Sequence, residues 1–184
     1  MKTKTLTQMA VLAALSILLI ALIHFPIFPA AAFLEYDPAD IPILIGGFMF
    51  GPLGGIVLTA LVCLLQGVTV SASSGIIGIL MHFMATGSFV LTASLIYKKH
   101  HTMKGAIAGL ALGSIVMTIM MVIWNLVFTP IFMGVSVDTV IPMILPIIVP
   151  FNLLKAGINS CVTFLVYKPL SRFLGISHAK TEKA

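Results

Sequence analysis

Long apolar runs separated by short polar, glycine-rich or proline-rich stretches dominate the chain. Most of these runs approach the ~20 residues that a helix needs to cross the hydrocarbon core of a bilayer. Two neighbouring runs, 41–50 and 53–66, are shorter, and Gly51-Pro52 between them favours a turn. The pattern therefore predicts six apolar helices, at about 6–23, 41–50, 53–66, 76–97, 105–128 and 141–167.

Composition places these helices in a membrane. The chain is 60% hydrophobic and only 8% charged, whereas soluble domains carry about 25% charged residues. No stretch is long and polar enough to form a separate soluble domain, so we expect a single membrane domain over residues 1–184. The run that follows Lys4 lacks a small-residue cleavage site, which predicts a retained first helix rather than a cleaved signal.

The basic residues cluster in three places and suggest an orientation. Lys2 and Lys4 precede the first run, Lys98, Lys99 and Lys104 share one short loop, and further basic residues follow the last run, among them Lys168, Arg172, Lys180 and Lys183. The positive-inside rule favours all three clusters on the cytoplasmic side. A bundle of six transmembrane helices with cytoplasmic N- and C-termini satisfies the rule, whereas five spans do not. The positive charge is thus a topological signal and does not indicate nucleic-acid binding.

A polar stripe in the last apolar run is the strongest functional signal. At about 100° per residue, Asn152, Lys155, Asn159 and Thr163 fall on one face of a helix. An ammonium group in a membrane helix is costly and normally faces the bundle interior or a wet cavity. We therefore interpret this stripe as one wall of a binding site. The alternative is a structural ion pair between Lys155 and Asp40 or Glu35.

Other polar groups are candidates for the same site. Asn125, near the end of the fifth run, needs hydrogen-bond partners, and His82 either contacts a ligand or makes an interhelical hydrogen bond. The loop before the second run is both aromatic and acidic. It could fold over the site or form an ordinary interfacial belt. Its candidate residues are Phe33, Leu34, Glu35, Tyr36 and Asp40.

Catalytic motifs are missing from the sequence. There is no G-x-x-x-x-G-K-[ST] phosphate loop, no H-E-x-x-H, no G-x-S-x-G and no pair of carboxylates within a run. Cys63 and Cys161 have no metal-site spacing. We therefore expect a non-enzymatic protein without a metal or cofactor. A small bundle without a clear inverted repeat fits a capture subunit that takes its energy from a partner.

Four segments carry a resemblance to a known family: Ala10–Ala14, Glu35–Pro52, Trp124-Asn125 and Pro150–Lys155. Over essentially its full length, the chain resembles the substrate-binding S component of energy-coupling factor (ECF) vitamin transporters. It is most similar to the riboflavin-specific members, and the Asn-x-x-Lys of the last run is the more specific signal.

The resemblance implies a function, a site and partners. It implies a multi-pass protein of the cell membrane that takes up riboflavin as transported cargo. The charge of Lys155 would favour a flavin phosphate, which makes FMN a candidate second ligand. Asn125, Asn152 and Lys155 would contact the flavin, and the loop 33–36 would cover it. Ala10 and Ala14 would dock on a transmembrane T component, which works with two ABC ATPase subunits.

Three alternatives stay open at this point. The first is an S component for another vitamin, such as a pyrimidine, pyridoxine or pantothenate. The second is a small membrane enzyme that acts on a lipid-borne substrate. The third is a structural subunit without a ligand, in which Lys155 is only an ion-pair partner.

Overall fold

A computed structural model describes residues 3–173, which are almost entirely helical. Lys2, Lys180 and Lys183 lie outside the described residues. The helices are α1 (Thr3–Leu22), α2 (Asp40–Val68), α3 (Gly75–Lys99), α4 (Met103–Met133), α5 (Val137–Val140) and α6 (Val149–Phe173), and two short strands are β1 (Phe25–Pro26) and β2 (Glu35–Tyr36). Within this part of the chain, five helical stretches are long and apolar enough to cross a membrane.

The chain reverses direction inside α2, at Gly51. This residue has φ = 80°, a conformation that glycine adopts without a steric cost. A methyl group added to Gly55 would lie only 3.0 Å from the Cα atom of Gly47, although residues eight apart in a straight helix are ~12 Å apart. Residues 40–50 and 52–68 therefore lie side by side. The turn predicted at Gly51-Pro52 is confirmed.

The last two long helices differ in their bounds from the predicted runs. α4 continues past 128 to Met133, and Gly134, with φ of 66°, caps its end. The run predicted to start at 141 is α-helical only from Val149, because a 3-10 turn (Ile141–Met143) and a π turn (Ile144–Ile148) come first. Pro142, Pro146 and Pro150 lack the N–H that a regular helix needs here.

Two apolar clusters hold the bundle together. The larger one joins all the long helices, with Leu12, Leu44, Leu58, Phe89 and Met117 among its buried members. The smaller one packs the loop between α1 and α2 against the segment that leads into α6, and it includes Leu34, Val140, Ile148 and Phe151. The second cluster fixes the loop over one end of the bundle.

This loop, residues 23–39, is called the lid loop below. Phe25 pairs with Tyr36 and Pro26 with Glu35 in a two-stranded antiparallel ladder. The rings of Phe25 and Tyr36 lie 5.6 Å apart, within the range of a stabilising aromatic pair. At the end of the loop, the Ser16 hydroxyl donates to the Ala39 carbonyl oxygen at 3.0 Å. The lid loop is therefore an ordered segment anchored at both ends.

Candidate functional site

A buried ion pair joins the lid loop to α6. Lys155 Nζ donates to Asp37 Oδ2 at 2.7 Å, and the two residues are only 7% and 5% exposed. From the sequence, we considered an ion pair of Lys155 with Asp40 or Glu35. Lys155 does form an ion pair, but the predicted partner was wrong, because the partner is Asp37. Glu35, in β2, is exposed, whereas Asp37, which follows the strand, is buried in the bundle.

Asp40, at the first turn of α2, is a second buried carboxylate, and side chains of α3 and α6 surround it. It accepts from the Thr86 hydroxyl, from Asn159 Nδ2 at 3.0 Å and, at 3.4 Å, faces His82 Nε2. Because it is fully buried, each of these donors offsets part of the cost of removing a carboxylate from water. Asp40 thus ties α2 to both α3 and α6.

Asn159 connects the lid loop to α6 a second time. Its Nδ2 also donates to the Asp37 carbonyl oxygen at 3.2 Å, and its Oδ1 accepts from the Tyr36 hydroxyl at 3.1 Å. Burial, and then the negative charge of Asp37, raise the pKa of Tyr36 above its ordinary value, so the phenol stays protonated and donates. Asn159 is a structural hub of the site.

The geometry of the acidic cluster does not favour a metal ion. Ligand atoms of Asp37, Asp40 and His82 lie within 4.8 Å of one another. However, Asp37 Oδ1 already accepts from the Ala39 N–H at 3.0 Å, and the other carboxylate oxygens accept from the donors named above. The Lys155 ammonium beside the cluster would also repel a cation. We interpret this cluster, together with Tyr36, Lys155 and Asn159, as a structural network that holds the lid loop. It is called the clamp below.

A cavity of about 980 Å³, counted with its open mouth, lies beneath the lid loop. Its apolar walls include Ile79, Met81, Met117, Met121, Phe132 and Phe151. Six of the residues predicted from the sequence line it, namely Phe33, Leu34, Glu35, His82, Asn152 and Lys155.

Asn152 and Lys155 are the polar groups that α6 brings to the cavity. They lie three residues apart, so they face the same side of the helix. Asn152 Nδ2 donates to the Ile148 carbonyl oxygen within the π turn at 2.8 Å, which holds the amide in place. The structure thus places an ammonium and an amide side by side on an otherwise mostly apolar wall.

Three predicted site residues lie behind the cavity wall. Tyr36 and Asp40 belong to the clamp described above. Asn125 is fully buried in α4, where its Nδ2 donates to the Met121 carbonyl oxygen and its Oδ1 accepts from the Thr129 hydroxyl, both at 2.7 Å. Thr129 and Met121 line the cavity in its place. A ligand contact of Asn125 remains a prediction.

The predicted docking residues lie on the free side of α1. Ala10 and Ala14 are exposed, whereas the buried face of the helix includes Met9, Leu12 and Ser16. A strip of small residues on the outside of a bundle permits close approach of another helix. The role of this strip in partner docking remains a prediction.

Sequence reasoning missed three residues that shape the site. Asp37 pairs with Lys155, Thr86 supports Asp40, and Gln66 lines the cavity. The i, i+4 spacing of Thr86 from His82 was a usable signal. No comparable signal distinguishes Asp37 from the other acids of the lid loop.

A family model for the ECF transporter substrate-specific component matches residues 4–167. The chain belongs to this family. It is therefore a multi-pass membrane protein of a transporter family, and the family is not one of enzymes. These results confirm the family that the four sequence segments indicated.

Curated relatives in this family are riboflavin transporters. The chain is 30% identical to riboflavin transporter FmnP of Bacillus subtilis (strain 168) over 118 residues, 64% of this chain and 62% of that protein. It is 36% identical to riboflavin transporter RibU of Streptococcus thermophilus (strain ATCC BAA-250 / LMG 18311), over 62% of this chain and 54% of that protein. The matches span less than two thirds of the length of these relatives.

A solved S component of a bacterial ECF transporter has the same fold. It matches 95% of this chain and 99% of its own chain, with 34% sequence identity and a TM-score of 0.81.

Proposed function

We propose that this S component binds riboflavin and delivers it into the cell as part of an ECF-type ABC importer. The observation that carries the proposal is the cavity beneath the lid loop, where Lys155 and Asn152 project from one face of α6 into mostly apolar surroundings. The names of the curated relatives support riboflavin as the ligand.

The chemistry of the cavity fits a flavin. The isoalloxazine ring system is flat and largely apolar, and methionine and aromatic walls suit such a surface. Its imide edge offers acceptor, donor and acceptor in a row, which an asparagine amide can complement. The Lys155 ammonium can donate to a ring carbonyl or a hydroxyl while it remains paired with Asp37, since it carries three N–H groups. The same charge favours FMN as a second ligand.

The orientation in the membrane follows from the charges and from the short arm of α2. We propose six membrane helices in one domain over residues 1–184, with both termini cytoplasmic and the lid loop toward the outside. Residues 40–50 span only ~16 Å as a helix, less than the ~30 Å core. The helix 40–50 therefore begins inside the bundle, at the level of the cavity, and the lid loop enters the bundle to connect with it. Irregular backbone is tolerated at that depth because it is buried in protein.

The partners follow from the family. We propose that the exposed strip of Ala10 and Ala14 on α1 docks on a transmembrane T component and that two ABC ATPase subunits drive the cycle. The small side chains allow the two helices to approach closely. Replacing Ala14 with leucine should prevent co-purification with the T component, and flavin binding by the isolated S component should be unaffected.

Titration of the detergent-purified protein with riboflavin tests the ligand. We expect a loss of flavin fluorescence on binding, and we expect Lys155→Ala and Asn152→Ala each to weaken binding by about 1–3 kcal/mol. Lys104→Ala, an exposed lysine at the start of α4, serves as the matched control and should bind normally. Unchanged titrations for both site variants would refute the site. Binding of pantothenate, pyridoxine or a pyrimidine in place of flavin would keep the family and refute the ligand.

A further inference from the structure

The cavity has a second polar corner, at the end of α2. Gln66 lies in the last turn of this helix and is only 6% exposed. Its Nε2 donates to the Ser71 hydroxyl at 3.2 Å. Its Oε1 is buried and has no hydrogen-bond partner among the described residues. Both Gln66 and Ser71 line the cavity.

An unpaired amide oxygen at a cavity wall indicates a missing donor. Buried side-chain oxygens in folded proteins almost always accept a hydrogen bond, because leaving one unpaired forfeits its hydration without compensation. The corner belongs to α2 and the turn that follows it, whereas Asn152 and Lys155 belong to α6. A ligand that contacts both walls therefore needs polar groups at more than one place.

We propose that Gln66 hydrogen-bonds to a hydroxyl group of the ligand. This inference rests on the proposed function, under which the hydroxyl belongs to the ribityl chain of riboflavin. A hydroxyl suits the corner better than a ring N–H does, because a hydroxyl both donates and accepts. It can therefore satisfy whichever end of the amide does not face Ser71. The ribityl chain offers several such groups, and the ring imide offers only one N–H.

Two flavins that differ only in this chain separate the contribution of the ribityl hydroxyls to binding from that of the ring system. Lumiflavin has the same ring system as riboflavin but carries a methyl group where riboflavin carries the ribityl chain. In Gln66→Met, which keeps the length of the side chain, we expect the Kd for riboflavin to rise roughly tenfold. The Kd for lumiflavin should stay within about twofold of the wild-type value. Gln8, the other glutamine of the chain, is buried and does not line the cavity. The control variant Gln8→Met should therefore change neither Kd.

Thermal unfolding of the ligand-free protein separates ligand contact from structural support. Because the amide oxygen has no protein partner, we expect Gln66→Met to unfold within a few degrees of the wild type. A large loss of thermal stability, or a failure to fold, would mean that Gln66 supports the structure and would overturn the inference. Equal weakening of both flavins, or no weakening of either, would overturn it too. If the wild-type protein bound neither flavin, the proposed function itself would fail.

Discussion

The Asp37–Lys155 ion pair leads to a prediction that separates stability from ligand binding. We consider Asp37→Asn and Lys155→Met, each alone and in combination. Both side chains are almost completely buried, and their charged atoms lie 2.7 Å apart. Each single change leaves one charge in the bundle without its partner. The double change removes both charges and retains side chains of similar size.

The size of the effect follows from the geometry. Opposite unit charges 2.7 Å apart attract by roughly 6 kcal/mol at an effective dielectric constant of about 20. Desolvation of the two ions costs several kcal/mol for each, so the net contribution of the intact pair is small. Removal of one partner is different, and we expect each single variant to lose about 3–5 kcal/mol of unfolding free energy. The double variant should recover most of this loss. The coupling energy, which is the sum of the two single losses minus the loss of the double variant, should then be about 5 kcal/mol or more.

Detergent-solubilised protein allows both properties to be measured. Denaturant-induced unfolding of the wild type, the two single variants and the double variant completes the cycle, and Lys104→Met controls for the loss of a positive charge at an exposed site. Flavin titration of the same samples gives the second readout. We expect the double variant to be stable and still to bind riboflavin weakly, because the ammonium donor is absent. This outcome would show that Lys155 serves the fold and the ligand separately.

Two results would refute this reasoning. Additive losses, with a coupling energy below about 0.5 kcal/mol, would mean that the two charges do not depend on each other. Full recovery of riboflavin binding in the double variant would mean that Lys155 acts only as the partner of Asp37. The proposed ligand contact of its ammonium would then be withdrawn.

Three further predictions concern the frame of the site, and thermal unfolding in detergent tests each of them. Gly51→Ala should lower the free energy of unfolding by about 1–2 kcal/mol because it places a side chain at φ = 80°. Gly157→Ala, in open space within α6, should be neutral or slightly stabilising. Equal effects of the two changes would contradict the hairpin turn. Gly109→Ala should destabilise by about 1–3 kcal/mol, because the methyl group would lie 2.7 Å from a carbonyl oxygen of α3, and a wild-type melting temperature would refute this close approach. Tyr36→Phe should cost about 1–2 kcal/mol because it leaves the buried Oδ1 of Asn159 without its donor. Since the pKa of Tyr36 is raised, the wild-type hydrogen bond should persist to at least pH 9, and a transition below that pH would contradict it.

Local chemistry predicted much of the fold. The apolar runs became long helices, and the Gly51-Pro52 pair became a reversal of the chain. Each of these features depends on residues within a few positions of one another. Such features can be inferred from sequence because they depend on backbone geometry and hydrophobic pattern alone.

The contacts of the site were harder to predict. The stripe of Asn152, Lys155 and Asn159 follows from helical spacing, but the choice of Asp37 as the partner of Lys155 depends on how β1 and β2 pair. With this pairing Glu35 stays exposed, and Asp37, directly after β2, is buried. Asn125 is placed behind the cavity wall, where its amide is largely satisfied within its own helix, and its contact with a ligand stays a prediction. Thr129, one turn further on, was a sign of this that the sequence already contained.

The clamp also constrains the order in which the protein can be completed. The carboxylates of Asp37 and Asp40 find partners in α6 that come 118 and 119 residues later in the chain. Because a chain is synthesised from its N-terminus, these acids are made long before the lysine and the asparagine that receive them. Until α6 has been made, Asp37 lacks the Lys155 ammonium with which it pairs. The lid loop can therefore be locked in place only after α6 has joined the bundle, and we expect a chain truncated before Lys155 to leave the cavity uncovered.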